Sequence, residues 1–182
     1  MRRILLSIIS LVAFVSMASA QQKIYVCEGF RYEVYDIKST DDIVFSADGQ
    51  EVSIGDYETF ELEEIDSITF AEPQYPKVEI KYNGTSATVE VGSNVKGVTY
   101  SVKGANVVLT SSTTTDEYLY TVSGKSDNGS LVINGTYKLT VELAGLDLTN
   151  PNGPAIDIEC GKHIGVILKK GTVNNLADGK SG

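Results

Sequence analysis

Beyond its first twenty residues the chain places aliphatic or aromatic side chains at alternate positions in short runs. Examples are Tyr35 and Ile37; Leu131 and Ile133; Leu139, Val141 and Leu143; and Ile156 and Ile158. A period of two is the signature of a strand with one buried and one wet face. Helical periodicity is nearly absent. The runs are punctuated by Asp48-Gly49, Asn83-Gly84, Asn128-Gly129, Asn134-Gly135, Asn152-Gly153 and Asp178-Gly179. Each of these dipeptides is able to take the positive φ that a tight turn demands. The pattern predicts an all-β chain.

A second regularity lies above the first. Shifting the chain by 25 residues places Leu131 on Ile156, Ile133 on Ile158, Leu139 on Ile164, Val141 on Val166, Leu143 on Leu168 and Leu148 on Val173. All are aliphatic, while intervening residues such as Thr140, Glu142 and Asp157 are polar. Such a period, made of short strands without a helix, suits a coil of a parallel β-helix, whose inward aliphatics stack on the next coil. An antiparallel β-sandwich is the alternative. The constant register favours the β-helix. On that reading the last coil, ending at "LADGKSG", lies uncovered, and a fragment or truncated gene model of a longer solenoid is expected. A weaker doubling at the same spacing pairs Tyr35 with Phe60, Ile37 with Leu62, Ile43 with Ile68 and Phe45 with Phe70.

Charge divides the chain. From Ile24 to Glu72 there are fourteen acidic residues against Arg31 and Lys38, whereas residues 73–182 carry ten acidic and ten basic ones, so the boundary falls at "AEPQYP". Arg2 and Arg3, an apolar run from Ile4 to Met17 and the small residues Ala18, Ser19 and Ala20 read as a cleaved secretory signal. The run is broken by serines and is shorter than the roughly 20 residues of a membrane span, and no later stretch is long enough. The expected organisation is a signal peptide over 1–20, an acidic β-rich module over 21–72, a linker over 73–76 and an incomplete β-helix domain over 77–182. Clustered basic residues are lacking, which excludes nucleic acid as a partner. Cys27 and Cys160 fall in different modules, so unpaired buried cysteines are expected, with a disulfide as the alternative.

The segments "VEIKYNGTSATVEV", "VTYSVKGANVVLTS" and "YLYTVSGKSDNGSLVINGTYKLTVELAGLDLTNPNGPAIDIECGKHIGVILKKGTVNNLADG" resemble secreted carbohydrate-binding-domain proteins that fold as right-handed parallel β-helices. The resemblance covers residues 77–182, most specifically the "YTVSGKSDNGSLVINGTYKLTVELAGLDLTNPNGPAI" run and "NNLADG". "FELEEIDSITF" is similar to the small module that precedes such domains in secreted proteins of Gram-negative gut bacteria, where Asp66-Ser67-Ile68 also fits an O-glycosylation pattern. The resemblance implies export to the periplasm, cell surface or medium of such a bacterium. It also implies binding of plant-type polysaccharide, notably acidic pectin and cellulose, with calcium as a structural or bridging ion. It implies no reaction and fixes no ligand residues.

Individual side chains narrow the chemistry. Cys160 and His163 form a single Cys-x-x-His without the second pair that a structural zinc needs, so Cys160 is expected in the core and His163 at a corner. No Gly-x-Ser-x-Gly elbow surrounds a serine, and the Gly-Lys-Ser triplets at 124 and 179 lack the earlier glycine of a phosphate loop. Asp147, Asp157 and Glu159 are expected on outward faces, as candidates for glycan or calcium binding. Calcium needs six to eight oxygens, which "GLDLTNPNGPAIDIE" is rich in. It would also offset repulsion between protein and glycan carboxylates. Lys138, Lys162, Lys169 and Lys170 are alternative partners for an acidic sugar. From residue 101 onward the tyrosines are Tyr118, Tyr120 and Tyr137. Tyr137 joins the candidate binding set, and packing as a cap over the first coil is the alternative for all three. The expectation is non-catalytic polysaccharide binding, against a β-helix lyase or hydrolase with facing carboxylates, or an adhesin or scaffold.

Overall fold

In a computed structural model, described for residues 22–38 and 41–179, the chain is all-β and divides into two compact units between Pro73 and Gln74. The expected signal peptide lies outside the described residues.

The first unit holds β1 (Gln22–Glu28), β2 (Arg31–Ile37), β3 (Ile43–Phe45), β4 (Glu51–Ile54), β5 (Glu58–Glu61) and β6 (Ser67–Thr69). β1 and β2 form one antiparallel hairpin, β4 and β5 another. Gly29 and Gly55 turn them at φ 57° and 52°. The short strand following each hairpin crosses to the other: β6 pairs with β1 and β3 pairs with β4. A lone hairpin is marginal in water, so each half is completed by a strand from its neighbour. Ile24, Val26 and Ile54 form one shared core, against which Tyr35, Ile37, Phe60, Ile65 and Ile68 pack. The doubling seen in the sequence extends to burial for Tyr35 with Phe60, Ile37 with Leu62 and Phe45 with Phe70, and departs only at Ile43, which is more exposed than Ile68. Tyr35, Ile37, Phe60 and Ile68 pack on the core, and Phe45 and Phe70 are each about half exposed.

The β4–β5 hairpin sets two carboxylates against each other, Glu51 opposite Glu61. Partial desolvation and the nearby charges of Glu51, Glu64 and Glu63 raise the Glu61 pKa. A raised native pKa means the folded state binds its proton more tightly than the unfolded state. The resulting stability is therefore present in acid and lost as pH rises through the native pKa.

The second unit holds β7 (Lys77–Asn83), β8 (Ser86–Val91), β9 (Val98–Lys103), β10 (Asn106–Ser111), β11 (Leu119–Ser126), β12 (Ser130–Gly135), β13 (Leu139–Asn150), β14 (Ile156–Cys160), β15 (Ile164–Leu168) and β16 (Asn175–Asp178). Antiparallel pairing is confined to β7 with β8 and β9 with β10. From β10 to β15 successive strands alternate between two sheets; β11 joins β7 in parallel, and β12, β13, β14 and β15 each pair in parallel with the strand two before. One sheet runs β14-β12-β10-β9; the other runs β15-β13-β11-β7-β8, with β16 also on β13. The two sheets bury one core between them.

Register explains that core. Val78, Tyr120, Val141 and Val166 form one column across the larger sheet, and Ile80, Val122, Leu143 and Leu168 the next. On the smaller sheet Val107, Leu131 and Ile156 align, as do Leu109, Ile133 and Ile158. The ladders thus pair Leu131 with Ile156, Ile133 with Ile158, Leu139 with Ile164, Val141 with Val166 and Leu143 with Leu168. Leu148 breaks the series. It pairs with Leu176, not Val173, because residues 169–174 loop out between β15 and β16, leaving Val173 79% exposed. Burial fades along the columns, from Val141 at 2% exposed to Val166 at 57%, because no described strand lies beyond β15. Tyr120 is no cap; it is fully buried inside its column.

The glycines differ from expectation as well. Gly49 and Gly84 take positive φ, but Gly129, Gly135, Gly153 and Gly179 do not. Gly135 lies inside β12, and Gly129 serves close approach, since a Cβ there would stand 2.7 Å from the Ala105 carbonyl oxygen.

One polar side chain holds the larger sheet together. β13 carries a bulge opposite Val122–Gly124 of β11: Ala144 and Gly145 together face Ser123 and the ladder resumes at Leu146, so the N–H groups to be satisfied here are those of Gly145 and Leu146. The Asn174 Oδ1 accepts from both N–H groups, at 2.9 and 2.8 Å. In the same segment Leu176 stacks on Leu148, and the Asp178 Oδ1 accepts from the Ala155 N–H at 2.8 Å. "NNLADG" is thereby explained as packing and backbone satisfaction.

Two outcomes are expected. Asn174→Ala strands two donors and lowers urea stability of the second unit by about 2 kcal/mol, while Asn174→Asp, which keeps an acceptor, loses less. Glu51→Gln raises the thermal midpoint of the first unit at neutral pH, and the gain vanishes as pH falls below the ordinary glutamate range, which a pH series of melts reads directly.

Candidate functional site

Strand alternation gives each sheet of the second unit an outer face. On the smaller sheet two rows cross the strands, which lie about 4.8 Å apart. One row is Ser101, Val108, Val132 and Asp157; the other is Thr99, Thr110, Asn134 and Glu159. Beside them Ser130 donates from its hydroxyl to the Asn106 Oδ1 at 2.8 Å. The result is a surface of hydroxyls and amides around Val108 and Val132, with carboxylates at its β14 edge.

Asp157 and Glu159 project from that edge two residues apart, on one face, half-buried and exposed respectively. Neither makes an ion pair among the described residues. Asp147 is separated from them on the larger sheet. Its carboxylate holds the Lys125 Nζ at 2.7 Å, and Lys125 also reaches Asp127 at 3.4 Å. Those hydrogen bonds, Asp147's first, raise the lysine pKa. The outer face of the larger sheet is internally tied elsewhere too. Thr121 donates to Glu142, Lys77 pairs with Glu79, and Glu117 receives both Thr140 and Lys138. Gly165 makes room for the Thr140 hydroxyl, which would stand 2.7 Å from a Cβ.

Tyr137 lies half-buried in the turn before β13, and its carbonyl oxygen accepts the Cys160 thiol at 3.0 Å. Cys160 is half-buried and Cys27 buried, and both are free thiols. His163 is exposed at the corner between β14 and β15, with its backbone carbonyl accepting from Leu139. No group of three or more His, Cys, Asp or Glu side chains is placed to hold a metal among the described residues. The oxygens of "GLDLTNPNGPAIDIE" are largely spent on the fold. Asp147 serves Lys125, and Asn150 bonds the Asn152 N–H and the Pro154 carbonyl.

Residues 103–182 match the model of a family described as carbohydrate-binding domain-containing protein. No curated protein and no solved structure matches the chain. The carbohydrate-binding match takes in β10 through β16, hence every parallel pairing except that of β7 with β11, together with Tyr137 and all three candidate carboxylates. No described helix is long and apolar enough to cross a membrane.

One candidate escaped the sequence. Tyr82, Tyr118 and Tyr120 are buried, whereas Tyr100 of β9 is 51% exposed. Its alternation with Val98 and Val102 reads as core-facing, and it does face Leu109. Its exposure follows from its place on an edge strand, which the local pattern does not encode.

Proposed function

We propose that the second unit is the opening of a right-handed parallel β-helix that binds polysaccharide without cleaving it. On this reading the outer face of the β14-β12-β10-β9 sheet carries the glycan. The carbohydrate-binding match over 103–182 is the observation that carries the reading. The parallel ladders and their stacked aliphatic columns support the coil assignment. The face is chosen because Asp157 and Glu159 make no ion pair among the described residues, whereas Glu79, Glu117 and Asp147 beside the larger sheet are each paired with a lysine.

Acidic plant-type glycan such as pectin is the proposed ligand, with calcium as a bridge. Asp157 and Glu159 are the carboxylates available for it. The remaining oxygens of the shell would come from glycan carboxylates and water, so the ion would bind weakly without sugar. Such a bridge converts a repulsive pair of acidic partners into an attractive one. Export through residues 1–20 would bring the protein to such a polymer.

Retention of the full chain on polygalacturonate and on cellulose, with and without Ca²⁺, tests this. The expected result is retention on polygalacturonate that rises with Ca²⁺ and yields no new unsaturated or reducing ends. The double variant Asp157→Asn, Glu159→Gln loses the calcium-dependent part, and Asp147→Asn, whose carboxylate serves Lys125, keeps it. Absence of retention on both polymers under both conditions overturns the proposal.

A further inference from the structure

Six dipeptides with Asn or Asp before Gly punctuate this chain, and the fold treats one of them differently. The Gly49 N–H donates to the Ser46 carbonyl at 3.0 Å, Gly84 to Lys125 at 2.8 Å, Gly129 to Thr149 at 3.0 Å and Gly179 to Gly153 at 2.9 Å. Gly135 is held within β12, between Ser111 and Cys160 in the ladder. At Asn152-Gly153 the glycine N–H has no hydrogen-bond partner among the described residues, and Asn152 is exposed. This turn is braced around the pair instead of through it. Asn150 Oδ1 takes the Asn152 N–H, Asn150 Nδ2 donates to Pro154, and the Gly153 carbonyl accepts from Gly179.

We propose that Asn152 is the site at which this protein undergoes spontaneous deamidation. The Gly153 amide nitrogen, after losing its proton to base, attacks the Asn152 Cγ. The N–Cγ bond forms, the Cγ–Nδ2 bond breaks, and the leaving group departs as ammonia after protonation by water. Water then opens the cyclic imide at either carbonyl, giving aspartate or isoaspartate. No oxidant or cofactor enters. The reaction needs an amide nitrogen free to ionise and rotate, which a hydrogen-bonded N–H is not. At the other three Asn-Gly pairs a backbone bond or a ladder position must first be released.

The modification has a structural consequence. An isoaspartyl link lengthens the backbone beside Gly153, whose carbonyl anchors Gly179. Asp178, next to Gly179, holds the Ala155 N–H, and the Ala155 carbonyl in turn accepts from Leu131. Deamidation therefore adds a negative charge and loosens the last turn of both ladders.

Incubation of the native full chain at mildly alkaline pH, followed by peptide mapping and isoaspartate-specific methylation, tests the proposal. Asn152 should convert at least about fivefold faster than Asn83, Asn128 or Asn134, the ratio expected from freeing one backbone hydrogen bond. In denaturant the four rates should converge. Gly153 has ordinary φ, and a Cβ there meets only the Asn150 Nδ2 at 3.6 Å, so Gly153→Ala should keep the fold and slow conversion. Faster conversion at another Asn-Gly pair, an equal lead for Asn152 in denaturant, or an unchanged rate in folded Gly153→Ala would each overturn it.

Discussion

The second unit depends on one packing constraint: an inward side chain on a parallel ladder is buried only if the strands on both sides carry side chains of the right size in the same register. Val78, Tyr120 and Val141 satisfy it together, as do Ile80, Val122 and Leu143. Each fully buried aliphatic contributes about 2 kcal/mol relative to exposure, so a slip of one residue would forfeit a whole layer. The antiparallel hairpins β7–β8 and β9–β10 close the columns at one end, where Val89, Val91, Val98 and Val102 pack against the core. At the other end Val166, Leu168 and Leu176 form an exposed apolar layer.

Keeping that register requires polar repair wherever the ladder departs from regularity. The bulge in β13 exists because Ala144 and Gly145 together oppose Ser123, and a bulge leaves donors without partners. Asn174 supplies the missing acceptor from the loop that also displaces Val173. One short segment therefore moves an aliphatic residue out of its expected column and satisfies the backbone beneath. Leu176 then occupies the place above Leu148.

Charge pairing distinguishes the two outer faces of the second unit. Lys125 with Asp147, Lys77 with Glu79, and Glu117 with Lys138 and Thr140 commit the larger sheet to itself. Asp157 and Glu159 on β14 remain as uncompensated acids at the rim of a neutral polar surface. Exposed ion pairs add little stability, so their main effect here is to occupy Asp147, Glu79 and Glu117 while Asp157 and Glu159 make no ion pair among the described residues.

Alternation and the 25-residue shift by themselves determined the all-β class, the inward and outward assignment of most strands and five of the six aliphatic pairings, because a period of two and a constant offset are local properties. They also placed Cys160 against the core and His163 at a corner. Strand order, the exchange of β3 and β6 between hairpins and the separation of Asp147 from Asp157 and Glu159 were decided only in three dimensions, since each depends on which distant strands become neighbours. The offset failed at Leu148 for the same reason: the length of the 169–174 loop is visible in the sequence, but only the bulge it serves shows why the ladder resumes at Asn175.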